Sequence, residues 1–256
     1  MKKRKREKYI ILNNAEQATM RASGAILRQV QEALRAAITP GVTCRSLDAL
    51  AEEIIRSAGG LPSFKGFHGF PATLCCMRND QVVHGIPDHT PLQAGDLLSV
   101  DCGVQYKGFH TDAAFSLVVG GAMMHPAREQ FQTTVRAALE AAVAVAIAGN
   151  TLRDIAAAVE STLAPTPYAV AAEYTGHGIG RQLHAEPHVW NLTGQRGEDT
   201  VLQAGMALCI EPIVLAERTR VETLSDGWTT VTANGCDAVQ WEHCGIVQTG
   251  RFEVLA

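Results

Sequence analysis

The tetrapeptide Leu92-Gln93-Ala94-Gly95 recurs unchanged as Leu202-Gln203-Ala204-Gly205, and this repeat constrains the fold more than any other feature of the chain. Each copy is followed by an apolar, strand-like run with a carboxylate six residues after the glycine, Asp101 in the first and Glu211 in the second. Upstream, Gly41-x-Thr43-x-Arg45-x-Leu47 is echoed by Gly149-x-Thr151-x-Arg153-x-Ile155. Between these, His68-Gly69-Phe70 matches His177-Gly178-Ile179, and His84-x-x-Pro87 matches His184-x-x-Pro187. The offsets run from 100 to 110 residues and the order is kept, so one supersecondary unit is built twice.

The helical and strand signals repeat in the same way. Residues 15–38 carry Met20, Ile26, Leu27, Val30 and Leu34 at helical spacing. Thr43 or Ser46 is placed to cap a second helix over Leu47–Ala58, which Gly59-Gly60 end. In the second half an Ala-rich helix is expected over Ala127–Ala148, stopped by Gly149, and another opens at Thr151 and runs to about Leu163. Each half then continues into strands rich in Val, Ile, Leu and Thr. The expectation is an α+β fold with quasi-twofold symmetry and a site where the halves meet. Residues 1–13 read as a basic tail and 14–256 as one compact domain, with halves at about 14–120 and 121–256.

A chain of 256 residues can bury a substantial core, and 46% hydrophobic with 19% charged residues is a globular composition. No apolar run approaches the roughly 18 residues of a membrane span, so no membrane association is expected. A net charge of -4 gives no field over the whole fold that would attract DNA. The head is the exception: Lys2, Lys3, Arg4, Lys5, Arg6 and Lys8 surround a single Glu7. Only four apolar residues, Tyr9 to Leu12, follow it, too few for an export signal. Two readings stand for this head, a solvated tail and an anchor to a polyanion such as ribosomal RNA. Seven cysteines with no C-x-x-C pair argue against a zinc ribbon and a disulfide framework, and for a reducing, cytoplasmic compartment.

Carboxylates carry the chemistry. Leu97–Val104 and Phe109–Val119 read as two strands joined by a turn through Gln105-Tyr106-Lys107-Gly108. Folding about Tyr106-Lys107 sets Asp101 and Asp112 nearly opposite each other, about 5 Å apart at Cβ. Facing acids repel unless a cation or a shared proton relieves them; the alternative is that both point to solvent. Glu211 and Glu242 form a second pair, each in an apolar strand, over Ala207–Val214 and from Val239 onward. Buried acids are rarely left unpaired. His177, flanked by Gly176 and Gly178, adds an imidazole. A lone histidine is more often structural, but beside four acids, and as the counterpart of His68, it reads as a ligand. Such a set suits Mn²⁺, Fe²⁺, Co²⁺ or Zn²⁺, as two ions about 3.5–4 Å apart with a bridging hydroxide. His84 and His184 remain as hydrogen-bond donors flanking a reacting amide.

The chain resembles the type I methionine aminopeptidases of the creatinase-like, or pita-bread, superfamily. The resemblance is carried by His84-Gly85-Ile86-Pro87-Asp88, Val100-Asp101 and Gly108-Phe109-His110-x-Asp112. It continues with Gly176-His177-Gly178-Ile179-Gly180-Arg181, His184-x-Glu186-Pro187, Ile210-Glu211-Pro212 and Glu242-His243. It implies pseudo-twofold halves whose central curved antiparallel sheet is covered by helices. It also implies cotranslational removal of the N-terminal methionine from nascent polypeptides, favouring a small second residue, by a monomer. By resemblance Asp101 chelates one ion, His177 and Glu211 are terminal ligands of the other, and Asp112 and Glu242 bridge the two. Glu211 is similar to the proton shuttle, His184 to the residue polarising the scissile carbonyl, and His84 to the one contacting the amide nitrogen. Asn79 resembles a residue near a monovalent-cation site.

The expected methionine pocket comprises Phe64, Phe67, Phe70, Cys75, Leu183 and Trp228. Cys75 and Trp228 match the family. Phe67 and Phe70 replace tyrosines, Leu183 a phenylalanine and Phe64 a cysteine, so the pocket stays apolar with a changed shape. A proline-specific peptidase shares the five ligands, but such proteins carry an additional N-terminal domain for which 256 residues leave no room. Non-catalytic proteins of this fold typically lose ligands that are all present here.

Overall fold

A computed structural model describes residues 9–256; the basic head up to Lys8 lies outside the described residues. The first half comprises α1 (Asn14–Ala37), α2 (Cys44–Ser57), β1 (Leu61–Pro62), β2 (Leu74–Arg78), β3 (Gln81–Val83), β4 (Leu97–Tyr106) and β5 (Phe109–Val118). The second opens with α3 (Pro126–Val145) and α4 (Leu152–Leu163), then β6 (Ala169–Val170), β7 (Gly176–Gly178), β8 (Ala185–Val189) and β9 (Ala207–Ile210). It continues with β10 (Ile213–Leu215), β11 (Val221–Thr223), β12 (Thr230–Thr232), β13 (Ala238–Gln240), β14 (His243–Gln248) and β15 (Arg251–Val254).

Every named strand pair is antiparallel. β5 covers one edge of β4, and β1 and β2 share the other in succession. The second large sheet runs β15-β14-β9-β7-β8, and two three-stranded sheets, β13-β10-β6 and β11-β12-β3, complete the strands. α1 lies across β4 and β5, and α3 packs on α4 and against β5 and β13. α1 starts because Asn13 and Glu16 form a reciprocal capping box, and it buries Met20, Leu27, Val30 and Leu34. Its buried Ser23 hydroxyl bonds to the Val104 carbonyl and to the Thr111 hydroxyl, fixing the helix on the hairpin.

The repeat is written into the backbone hydrogen bonds. The Gly41 amide donates to Leu92 and the Gly149 amide to Leu202; Leu92 donates to Val42 and Leu202 to Asn150. Arg45 donates to Asp88 as Arg153 does to Glu198. Gly95 donates to Val119, and Gly205 to Val247. Gly95 and Gly205 have φ of 91° and 93°, the left-handed region that glycine enters without a Cβ penalty. Thr43 caps α2 and Thr151 caps α4. These matching bonds give the α+β, pseudo-twofold architecture expected.

Several local expectations need correction. α3 ends at Val145, not Ala148, because the Ala148 amide leaves the helix to donate to Gln248 of β14. The runs holding Glu211 and Glu242 are broken strands: β9 and β14 belong to the five-stranded sheet, whereas β10 and β13 pair with each other elsewhere. Each acid therefore sits where the chain crosses between sheets. The hairpin turns about Lys107-Gly108, both at positive φ (48° and 78°). That two-residue turn pairs Asp101 with Ala114 and Asp112 with Gly103. The acids are diagonal neighbours, not opposite ones. His68 also departs from the repeat, sitting on a single 3₁₀ turn at φ 48°. Through the 110-residue offset Cys209 matches Ser99; His177 is opposite Cys209 and Met77 is opposite Ser99. The spatial counterpart of His177 is Met77.

Candidate metal centre

The four acids converge from the hairpin and the two sheet crossings. The Glu242 amide donates to the carbonyl of Ala114, the residue opposite Asp101, so the second crossing is bonded to the hairpin at 3.0 Å. Oxygens of Asp101, Asp112 and Glu242 lie within 4.8 Å of one another. His177 Nδ1 is 2.9 Å from the Gly178 carbonyl. A carbonyl only accepts, so Nδ1 carries the proton and Nε2 keeps its lone pair. That Nε2 is 3.6 Å from Glu211 Oε1. Gln240 Nε2 donates to Glu211 Oε2 at 3.5 Å, and Asn191 Nδ2 holds the Glu211 backbone carbonyl at 2.9 Å.

This cluster is unstable as an array of bare charges. Asp101 Oδ1, Asp112 Oδ1 and Glu242 Oε1 are buried without a hydrogen-bond partner. Burial pushes the Asp101 carboxyl up to about 7, opposed by hydrogen bonds from Asp112 and Gln240. Burial also raises Asp112, Glu211 and Glu242 well above the ordinary carboxylate range, reinforced by their mutual repulsion. The same desolvation holds His177 neutral, with a pKa lowered to about 3. Among the described residues no lysine or arginine lines the cavity to neutralise the acids. Carboxylate oxygens with free lone pairs and a neutral imidazole nitrogen form the donor set of a hard or borderline divalent cation. Divalent ions fit.

The acids and His177 border a cavity of about 460 Å³ whose remaining walls are largely apolar. Phe64, Phe70, Cys75 and Leu183 are buried wall residues, and Phe67 and Trp228 are half-buried. Phe70 meets the Trp228 ring edge-on at 5.1 Å, and Phe67 meets His184 at 5.3 Å. His184 stacks edge-on against His177 at 4.4 Å, while His84 faces Trp228 at 6.4 Å. His84 and His184 are exposed, as are His68, Glu173 and His188 of the same lining. Every expected ligand, donor and pocket residue thus borders one cavity. Asn79 does not: its side chain donates to Asp96 Oδ1 and accepts from the Leu97 amide, outside the lining. Sequence reasoning missed Gln240, Asn191 and Cys209. Only Gln240 left a trace, as a buried polar residue two positions before Glu242 in an apolar run.

The description "Metallopeptidase family M24" matches residues 18–249. Methionine aminopeptidase 1 of Mycobacterium tuberculosis is 42% identical over 231 residues, covering 88% of this chain and 86% of the relative. The methionine aminopeptidase of Clostridium perfringens is 39% identical, covering 96% of this chain and 98% of its own length. Among solved structures, methionine aminopeptidase from Thermotoga maritima superposes with a TM-score of 0.92 at 32% identity, covering 96% of this chain and 98% of that one. Prolidase from Pyrococcus furiosus gives 0.78 at 20% identity and 65% coverage of that chain, a likeness of fold alone.

Proposed function

The chain belongs to metallopeptidase family M24 and, within it, to the methionine aminopeptidases, and from this we propose that it hydrolyses the first peptide bond of nascent polypeptides to release their N-terminal methionine. The observation that carries the proposal is the set of orphaned carboxylate oxygens and the neutral imidazole on the wall of an apolar cavity. Asp101, Asp112, His177, Glu211 and Glu242 would hold two divalent ions, with Asp112 and Glu242 shared between them. Such ions, Mn²⁺, Fe²⁺, Co²⁺ or Zn²⁺, would supply Lewis-acid polarisation of the carbonyl and a low-pKa water.

The chain's own groups do the rest. Phe64, Phe67, Phe70, Cys75, Leu183 and Trp228 take the thioether side chain, whose flexibility and polarisable sulfur suit an aromatic-walled pocket. His184, beside His177 and Phe67, donates to the scissile carbonyl, and His84 contacts the amide nitrogen. Glu211, oriented through Gln240 and Asn191, receives a proton at its carboxylate and returns it to the departing amine. Nascent chains as substrates set the reaction in the cytoplasm, and the positive head from Lys2 to Lys8 supplies charge complementary to ribosomal RNA.

Purified protein supplied with Mn²⁺ or Co²⁺ is expected to release methionine from Met-Ala-Ser and to leave Met-Leu-Ser and X-Pro peptides intact, read by chromatography of the products. Preference for X-Pro peptides would overturn the methionine assignment. Absence of turnover with metal bound would overturn catalysis itself.

A further inference from the structure

The five-stranded sheet aims more than His177 at the metal centre. His177 on β7 stands directly opposite Cys209 on β9, and Cys209 directly opposite Cys244 on β14. Residues directly opposite in antiparallel strands project to the same face, so the imidazole and the two thiols form one row across three strands. Both cysteines are fully buried. Cys209 Sγ, a His177 ring nitrogen and a Glu242 oxygen all lie within 4.8 Å of one another. Cys209 Sγ therefore stands next to both the Glu242 carboxylate and the Cys244 thiol. A carboxylate only accepts, and each thiol has a single proton. One assignment uses both protons: Cys244 S–H points to Cys209 Sγ, and Cys209 S–H points to Glu242. Glu242 Oε1 is left buried and unpartnered. A carboxylate that accepts from a thiol on one side and is bare on the other would be oriented before any cation arrives.

We propose that Cys209 is a positioning residue of the metal centre, whose thiol donor fixes Glu242 so that Oε1 faces the ion. This rests on the reading of Glu242 as a metal ligand. Groups that orient a ligand in this way typically contribute 10–100-fold to metal affinity.

Mn²⁺ titration calorimetry on the metal-free protein, with Cys209→Ala, Cys209→Ser and Glu242→Ala, tests it. Cys209→Ala is expected to weaken Mn²⁺ binding by about 10–100-fold, and Cys209→Ser, which keeps a donor, to recover most of that loss. Far-UV circular dichroism of the metal-free variants checks that each is folded. If Glu242→Ala binds Mn²⁺ like the parent, the ligand reading fails. If Glu242→Ala loses binding while Cys209→Ala stays within twofold of the parent, the positioning inference alone fails. The Co²⁺-loaded protein supplies an independent readout. Its near-ultraviolet absorption is expected to be the same for the parent and Cys209→Ser, whereas a sulfur-to-cobalt band lost in Cys209→Ser would make Cys209 a ligand and overturn its positioning role.

Discussion

Gln240 shows how one buried amide side chain sets the geometry of a neighbouring acid in the cavity. Its amide group donates to Glu211, and its backbone is clamped from the hairpin side. The Ser116 hydroxyl donates to the Gln240 carbonyl at 2.7 Å, and the Gln240 amide donates to Ser99 Oγ at 3.2 Å. The two serine hydroxyls are 2.6 Å apart across β4 and β5, and both are buried. Ser116→Ala leaves a buried carbonyl without its partner, which costs about 1–3 kcal/mol. Urea unfolding of the metal-free protein should show a lower midpoint with an unchanged slope; an unchanged midpoint would mean that the clamp contributes nothing. The sequence made the acids and histidines legible because charge in an apolar strand is conspicuous. It did not reveal the clamp, since Ser99, Ser116 and Gln240 are unremarkable until the sheets are brought together.

At the scale of elements, the repeated helix starts differ in one respect that predicts a difference in stability. Thr43 accepts from the Ser46 amide at the start of α2. Thr151 accepts from the Asp154 amide at the start of α4, and Asp154 bonds back to the Thr151 amide at 2.7 Å. Removal of a threonine cap costs about 1 kcal/mol. Thermal unfolding should therefore register both Thr43→Ala and Thr151→Ala, with the larger loss at Thr151, where the mutation also removes the hydroxyl contact to Asp154. Equal losses would show that the hydroxyl contact to Asp154 adds nothing. The α4 cap was readable at Thr151 and the α2 cap only as Thr43 or Ser46, whereas four helices were readable to within a few residues. The register of the β4–β5 hairpin was not. Gln105-Tyr106-Lys107-Gly108 admits two turn centres, and only the left-handed backbone at Lys107 and Gly108 decides between them. The sheet crossings at Glu211 and Glu242 were equally hidden, because an apolar run reads as a strand whether or not it changes partners midway.

At the scale of the molecule, burying four acids together makes the metal-free fold sensitive to pH. Asp101 titrates at about 7 in the folded chain against an ordinary 3.8, and the other three acids are raised as well. At these four acids the folded state therefore holds protons that the unfolded chain has released, so their contribution to stability falls as pH rises through that interval, while His177, lowered to about 3, contributes with the opposite sign. The melting temperature of the metal-free protein, measured by calorimetry relative to that of Asp101→Asn, is expected to fall between about pH 4 and pH 7. Saturating Mn²⁺ should flatten the slope and raise the transition, since a ligand bound only by the native state stabilises it. A melting difference between the parent and Asp101→Asn that does not change with pH would contradict the burial of that carboxyl.

Met77 and His177 occupy the same rung of two frames laid down by matching backbone bonds. The duplicated connectors, glycine corners and threonine caps position that rung without regard to what hangs from it, so architecture and reactivity are inherited separately. One copy of the rung is spent on packing, with Met77 fully buried among apolar neighbours, and the other on an imidazole. A symmetric scaffold thereby encloses an asymmetric centre: the symmetry governs where side chains stand, and the departures from it govern what they do.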